Sequence, residues 1–276
     1  MLVDRDRLLA ALRLPRTTVV DAEPLTGIAG SPERISITGI EHPFAVIARR
    51  SPDLERASNN IAVLEALNAR AIACTPRLLA IVDGAAIETA IDGLTALAVV
   101  PSPGACEAAI DGLAALHGAG VREGLHWGCA AADLFPPGEL PLHRLGFAAP
   151  EREAAHAPFA ALREELLTTP FGFTHGRATA DNVLLGPRSA TFVDFEAAGF
   201  GPQLFDVAAF LLTAGLSAEY RHILAHRYGG LCGFPPTETA ARIDLLALRW
   251  GIEELLLLPR RLILSLGDEA STDALR

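Results

Sequence analysis

The sequence predicts an α+β fold with two lobes, a small β-rich lobe over residues 1–100 and a larger helical lobe over residues 101–276. Short apolar runs separated by turn residues fill most of the first hundred positions, which is typical of strands. Residues 101–104, with the sequence Pro-Ser-Pro-Gly, then break the chain sharply. Beyond this break, apolar residues recur mainly at helical spacing.

The small lobe is expected to be mostly sheet with one long helix. Isoleucines at positions 35, 37 and 40, followed by the apolar run 44–48, predict two strands joined by a turn. Ile61, Leu64 and Leu67 recur at helical spacing, and Pro76 ends that helix. The expected elements are a helix over 3–15, strands over 35–40 and 44–48, a helix over 58–69, and strands over 78–82 and 95–100.

The larger lobe is expected to be helical around one segment of short strands. Residues 119–150 contain many glycines and prolines, so they are interpreted as a loop-rich insertion. The other expected elements are helices over 106–117 and 151–167, short strands and loops over 174–201, and helices from residue 204 onward.

The charge of the chain excludes some classes of partner. The formal net charge is −10 and the pI is about 5.3, which disfavours non-specific binding to nucleic acid and favours solubility. No lysine occurs, so all 23 residues in the Lys+Arg count are arginines. Chemistry that depends on a lysine side chain is therefore unavailable to this protein.

Cysteine spacing and apolar patterning predict a cytoplasmic protein without a membrane partner. The four cysteines form no CxxC or Cys/His spacing, so reduced thiols are expected instead of a zinc site or disulfides. The charged residues 4–7 and the absence of a continuous apolar run there disfavour a secretory signal. Charged residues and a proline interrupt the apolar stretch 245–266, which favours a buried or partner-facing helix over a membrane span.

Polar residues that suit a metal site stand close together in the sequence within residues 174–211. His175 and Gly176 precede Asn182, an apolar run follows, and Asp194 comes after a turn. An amide and a carboxylate on one hairpin would supply oxygen ligands to Mg²⁺, which usually takes one or two carboxylates together with phosphate oxygens. A polar hairpin whose Asn and Asp serve only the turns is the alternative.

The same segment resembles a known family of small-molecule kinases. Its sequence contains HGRATADNVLL, followed by FVDFEAAGFGPQLFDVAAF. These motifs are similar to the His-Gly-Asp, Asn, Ile-Asp-Phe/Trp-Glu and Asp-Leu-Ala signature of the aminoglycoside phosphotransferase and choline-kinase-like family. The resemblance implies a protein-kinase-like fold, ATP or GTP with Mg²⁺ as cofactors, and phosphoryl transfer to a hydroxyl group of a small molecule.

The resemblance also implies roles for individual residues. Asn182 and Asp194 would bind the metal ion, and His175 and Asp206 would support the catalytic loop. Alternatives for the last two are an ordinary buried histidine and a helix N-cap. Residues 25–36 would form the nucleotide loop and backbone groups of the interlobe hinge would receive the adenine, with the nucleotide contacts expected at Gly30, Ser31, Val99, Val100 and Ser102.

Departures from the family pattern affect its catalytic residues. Arg177 stands where the family has its catalytic aspartate, and an arginine, whose pKa exceeds about 12, cannot act as a base. Asp181 on the same loop is the candidate for a displaced base. The family's phosphate-binding lysine has no counterpart, so Arg49 or Arg50 would substitute. Asn60 occupies the position of the helix glutamate that pairs with that lysine.

Three functions remain open at this point. The first is a nucleotide- or small-ligand-binding protein with impaired or lost phosphotransfer, because removal of a general base costs roughly 10²–10⁴-fold in rate. The second is an active ATP-dependent kinase of small hydroxyl compounds with a displaced base, since phosphoryl transfer depends mainly on positioning and charge stabilisation. The third is a non-catalytic structural or interaction protein, in which the apolar run 255–258 packs against a partner or forms a homodimer.

Overall fold

A computed structural model describes residues 1–25, 32–95, 101–122, 148–150, 170–244 and 246–247. The elements of its N-terminal part are α1 (Arg5–Ala11), β1 (Val19–Pro24), β2 (Glu33–Thr38), β3 (Phe44–Arg49), α2 (Leu54–Ala69), β4 (Leu78–Val82) and β5 (Ala85–Thr89). The strands form a five-stranded antiparallel sheet in the order β1-β2-β3-β5-β4.

The two faces of this sheet have different environments. Val46 and Ala48 of β3 belong to a fully buried apolar cluster that also contains Leu8 of α1. Successive side chains of a strand point to opposite faces, so Ile47 and Arg49 lie on the other face. Ile47 is directly opposite Glu88 of β5, which places the Glu88 side chain on this second face as well.

The C-terminal part is predominantly helical and encloses a second core. Its elements are β6 (Leu94–Thr95), α3 (Pro103–His117), β7 (Phe171–Thr174), a 3-10 turn (Ala180–Asn182), β8 (Val183–Leu185), β9 (Ala190–Phe192), a 3-10 turn (Phe195–Ala197), β10 (Gly199–Pro202), α4 (Gln203–Thr213) and α5 (Ala218–Cys232), followed by helical residues at 236–244. Leu64 and Leu67 of α2 are buried in the same core, so α2 packs against the C-terminal part.

The α+β fold class predicted from the sequence is confirmed, with differences in the elements. Helix α2 begins at Leu54, four residues before the expected start, because Asp53 caps it by accepting hydrogen bonds from the backbone N–H groups of Glu55 and Arg56. Helix α1 is shorter than expected, and strands β1 and β5 were not predicted.

Some predictions fall on residues outside the described ranges. These are most of the strand expected over 95–100, nearly all of the insertion, the helix over 151–167 and the lobe boundary at residue 100. In the part of the chain that the structure describes, no helix combines the length and apolar character needed to cross a bilayer.

Candidate active site

A cleft of about 670 Å³ lies between the second face of the sheet and the β8–β9 hairpin. Arg49 and Glu88 line it from the sheet. Asn182 and Asp194 line it from the two ends of the hairpin, and Arg177 lines it from the preceding loop. The structure therefore brings together residues that are far apart in the sequence, such as Arg49 and Asp194, which are separated by 145 positions.

The β8–β9 hairpin positions the two predicted metal ligands. The backbone N–H of Val193 donates to the carbonyl oxygen of Asn182 over 3.0 Å, so Asn182 and Asp194 emerge side by side. The Asn182 Nδ2 group donates to the carbonyl oxygen of Arg177 over 3.0 Å. This bond fixes the amide and leaves its Oδ1 oxygen available as a ligand.

Asp194 and Arg49 face each other across the cleft without a hydrogen bond. Arg49 Nη1 is 3.8 Å from Asp194 Oδ1, and Asp194 has a left-handed backbone with φ of 70°. Asp194 Oδ1 and Arg49 Nε are both buried without a hydrogen-bond partner among the described residues. A buried acceptor and a buried donor of this kind are usually satisfied in a native structure. A cation on the carboxylate and an anion on the guanidinium would satisfy both, so these residues fit a magnesium ion with bound phosphate.

Asp206, at the start of α4, anchors the loop that contains His175. Its Oδ2 accepts a hydrogen bond of 2.6 Å from the His175 backbone N–H, and its Oδ1 accepts one of 3.0 Å from the Gly176 N–H. The carboxylate is only 1% exposed. The sequence-based alternative of a helix N-cap does not describe this geometry, because Asp206 lies inside the helix and its bonds go to another segment.

His175 connects this loop to the segment that carries Asp194. The Arg177 backbone N–H donates to His175 Nδ1 over 3.3 Å, and His175 Nε2 lies 3.0 Å from the carbonyl oxygen of Val193. Both bonds form together only when the ring is neutral with its proton on Nε2. Burial lowers the pKa of His175 below its ordinary value, against the opposing effect of the Asp206 charge.

His117 and Tyr228 extend this network, and sequence reasoning did not find them. His117 Nε2 lies 3.0 Å from Asp206 Oδ2, and its Nδ1 lies 2.7 Å from the Tyr228 hydroxyl. All three side chains are buried. A carboxylate only accepts, so His117 Nε2–H donates to Asp206. The network links α3, α4 and α5 to the loop before Asn182.

Position 176 requires a glycine because the backbone of Ala197 passes very close to it. Its φ is 77°, and a Cβ atom there would lie 2.0 Å from the carbonyl oxygen of Ala197. No side chain fits this position without displacing the segment after Asp194. The His-Gly pair in the sequence thus reflects one buried imidazole and one contact that only glycine permits.

Two adjacent asparagines join α2 to the segment that follows Asp194. Asn59 Nδ2 donates to the carbonyl oxygen of Ala198 over 2.8 Å, with longer contacts to two neighbouring carbonyls. Asn60 Nδ2 donates to Glu88 Oε1 over 3.1 Å, and Asn60 Oδ1 accepts from the Phe195 N–H over 3.0 Å. Burial raises the pKa of the Glu88 carboxyl, while the Arg49 charge and the bond from Asn60 oppose this rise.

Comparison with known sequences identifies the family. A sequence model of the phosphotransferase enzyme family, APH, matches residues 38–243, which include Arg49, Glu88, Asn182 and Asp194 of the cleft. The chain belongs to this phosphotransferase family. No functionally curated protein matches it significantly by sequence.

Solved structures similar to this phosphotransferase-family chain have the same fold. A choline/ethanolamine kinase family protein from Mesorhizobium loti has a TM-score of 0.61 at 18% identity, covering 95% of this chain and 88% of its own. Choline kinase from Streptococcus pneumoniae, which has also been solved with AMP, has a TM-score of 0.58 at 14% identity, covering 92% and 89%. An aminoglycoside phosphotransferase from Alicyclobacillus acidocaldarius has a TM-score of 0.56 at 14% identity, covering 83% and 78%. At these identities the likeness concerns the fold alone.

Arg177, where the family resemblance places an aspartate, is an exposed residue that lines the cleft. No ion pair joins its guanidinium to another described residue, and the charge nearest to Asp194 comes from Arg49. Arg177 therefore does not block Asp194. Asp181, the candidate for a displaced base, is also exposed and lines the same cleft.

The predicted nucleotide contacts are only partly within the described ranges of this phosphotransferase-family chain. Gly30, Ser31, Val99 and Val100 lie outside them. The Ser102 hydroxyl caps α3 by accepting from the Ala105 N–H over 3.3 Å, and its role toward adenine stays a prediction. Of the two arginines considered for phosphate, Arg49 lines the cleft. Arg50 instead donates to the carbonyl oxygens of Leu2 and Asp83 on the far side of the sheet.

Proposed function

We propose that this protein binds a nucleoside triphosphate with Mg²⁺ in the cleft and that its phosphotransfer to hydroxyl acceptors is impaired. The observation that carries the proposal is the pair of buried, unsatisfied atoms Asp194 Oδ1 and Arg49 Nε, which lie on facing side chains. A metal–phosphate ligand presents the complementary charges to both. AMP binding by the Streptococcus pneumoniae choline kinase adds support from a relative with the same fold.

Each cleft residue has a distinct task in this proposal. Asp194 and Asn182 provide oxygen ligands, and Arg49 donates to phosphate oxygens. Bound Mg²⁺ supplies neutralisation of the phosphate charge. His175 holds the Val193 carbonyl and the Arg177 N–H, which keeps the two metal-binding residues in place. Impaired transfer follows from Arg177, because a guanidinium cannot accept the proton of the attacking hydroxyl.

The charge of the cleft does not favour a cationic acceptor over a neutral one. Three arginines and three acidic residues line its described part, namely Arg34, Arg49, Arg177, Glu88, Asp181 and Asp194. An aspartate at position 177 would shift this balance toward negative charge, so the arginine there weakens the attraction for cationic amino alcohols or aminoglycosides.

An active hydroxyl kinase with Asp181 as the base is the second candidate. Asp181 is exposed, lines the cleft and belongs to the same loop as Arg177, which places a carboxylate within this region. In that case Asp181→Asn would lower the rate by roughly 10²-fold or more. Under the first proposal the same change has little effect on a rate that is already low.

Calorimetric titration of ATP with and without Mg²⁺ tests the proposal. We expect binding that strengthens with Mg²⁺, and we expect Asp194→Asn to remove this dependence on the metal. Asp6→Asn, at an exposed carboxylate of α1 that does not line the cleft, is the matched control. A parallel screen of ATP consumption with amino alcohols, aminoglycosides and simple polyols measures transfer. Rapid phosphorylation of any acceptor would show that transfer is not impaired, and lack of ATP binding would refute the proposal as a whole.

A further inference from the structure

Glu88 is a buried carboxyl on the cleft face of the sheet. Its residue is 3% exposed and lines the cleft together with Arg49. Ile47 is directly opposite Glu88, so Arg49, two residues along β3, is its diagonal neighbour on the same face. Diagonal neighbours in an antiparallel pair are within reach of long side chains. A buried carboxylate needs a countercharge or hydrogen bonds, and the charge of Arg49 acts on the Glu88 carboxyl from this diagonal position. Among the described residues the ion pair of Arg49 itself is with Asp194, at 3.8 Å.

Asn60 connects Glu88 to the segment that carries Asp194. Its Nδ2 donates to Glu88 Oε1 over 3.1 Å, and its Oδ1 accepts from the Phe195 N–H over 3.0 Å. Phe195 follows Asp194 directly in the sequence. The position of α2 that holds a glutamate in the family resemblance therefore holds an amide here, and the carboxylate that it orients comes from β5.

We propose that Glu88 is the positioning residue for Arg49, so that the carboxylate partner of the phosphate-binding cation lies on β5 and not on α2. Only the role of Arg49 toward phosphate rests on the proposed nucleotide binding, and the effect of Glu88 on Arg49 does not depend on it. Both members of the pair belong to adjacent strands of one sheet. The pairing therefore needs no movement of α2 toward the sheet. Asn60 holds α2 and the segment after Asp194 in a fixed position relative to Glu88.

The direction in which a Glu88 substitution changes ATP affinity distinguishes a positioning role from the simple repulsion of a nearby negative charge. By Coulomb's law alone, removal of the Glu88 charge would strengthen binding of a polyanion in the same cleft. If Glu88 instead orients Arg49, its removal weakens binding, because the guanidinium loses its fixed position. Glu88→Gln suits this test because an amide oxygen still accepts from Asn60 Nδ2.

The first experiment measures stability without nucleotide. Urea unfolding is compared for the unchanged chain, Glu88→Gln, Arg49→Met and the double variant. We expect Arg49→Met to destabilise the protein more when Glu88 is present than in the Glu88→Gln background, because it then leaves a buried carboxylate without its countercharge. Additive effects of the two changes would overturn the pairing, whatever the protein does with nucleotides.

The second experiment measures ATP–Mg²⁺ and adenosine binding by calorimetry. We expect Glu88→Gln to weaken ATP binding by about tenfold or more and to leave adenosine binding unchanged. Glu41→Gln, at an exposed glutamate in the β2–β3 turn, is the control and should change neither. Stronger or unchanged ATP binding, or an equal loss for adenosine, would overturn the positioning role. If the unchanged chain binds no ATP, the proposed function fails, and the unfolding experiment still decides whether Glu88 and Arg49 are paired.

Discussion

Asp206 Oδ2 accepts a hydrogen bond of 2.6 Å from the backbone N–H of His175, although the two residues are on different elements. The same carboxylate accepts from Gly176 and from His117 Nε2. Asp206 therefore receives three hydrogen bonds from two other segments of the chain.

Asp206→Asn replaces one carboxylate oxygen, which accepts a hydrogen bond, by an NH2 group that faces other donors. We therefore expect the unfolding free energy to fall by about 3 kcal/mol. Urea denaturation measures this. Asp111→Asn, which removes a half-exposed ion pair with Arg227, should cost no more than about 1 kcal/mol. Equal effects of the two changes would contradict the anchoring role of Asp206.

Gly176 and Gly84 form a matched pair for a second prediction. Both have φ of 77°, but a Cβ at Gly84 would meet open space, whereas one at Gly176 would meet the Ala197 carbonyl oxygen at 2.0 Å. Gly84→Ala should cost about 1 kcal/mol, which is the backbone strain alone. Gly176→Ala should cost about 2 kcal/mol or more beyond that, because the segment after Asp194 must move. Thermal unfolding with both variants checks the difference, and similar melting temperatures would show that the Ala197 contact is easily relieved.

The buried imidazole of His175 predicts a dependence of stability on pH. Its pKa in the folded protein lies below the ordinary value of 6.5, so the unfolded chain binds more protons as the pH falls below that value. The stabilisation by neutral His175 is therefore complete above pH 6.5 and decreases in more acidic solution.

The difference in unfolding free energy between the unchanged chain and His175→Gln should follow this course. We expect it to be constant at neutral pH and to shrink below pH 6.5, by up to about 1.4 kcal/mol per pH unit. Urea unfolding at a series of pH values measures it. The other titrating groups are common to both chains, so a constant difference would mean that the pKa of His175 is the same in the folded and unfolded states.

Replacement of Arg177 tests whether this residue limits phosphotransfer. Arg177→Asp introduces a proton acceptor where the cleft is open, and we expect ATP consumption with a hydroxyl acceptor to rise by roughly 10²-fold or more. Arg177→Ala removes the guanidinium without adding a base and should give a much smaller rise. A coupled assay with the acceptor panel measures both. Equal gains from the two variants would show that the arginine obstructs the cleft and that a missing base is not the limit.

The proximity of Asn182 and Asp194 was predictable from the sequence because it arises from local structure. Asn182 and Asp194 lie at the two ends of one short hairpin, so their spacing indicates their proximity. The contact of His117 with Asp206 joins residues 89 positions apart, and no local pattern reveals it. The position of Arg49 diagonal to Glu88 depends on the neighbouring strands β3 and β5, an order that the sequence does not specify.

The two strands missed in the sequence have different physical explanations. Strand β5 follows Asp83 and Gly84, an Asp-Gly pair that favours a tight hairpin turn, and this signal was overlooked. Strand β1 is mostly exposed at the edge of the sheet, so it lacks the alternation of apolar and polar residues that marks a half-buried strand. Its position is defined by pairing with β2 instead.

The side chain that β3 projects into the cleft is a guanidinium, and the sequence contains no side-chain amine at all. Acyl-phosphate derivatives of ATP label nucleotide sites by transferring an acyl group to a lysine, so they have no side-chain target in this protein. Dicarbonyl reagents, which condense with guanidinium groups, do have one in Arg49. If the cleft binds ATP as proposed, a proteome-wide survey of ATP sites that relies on lysine acylation would therefore miss it.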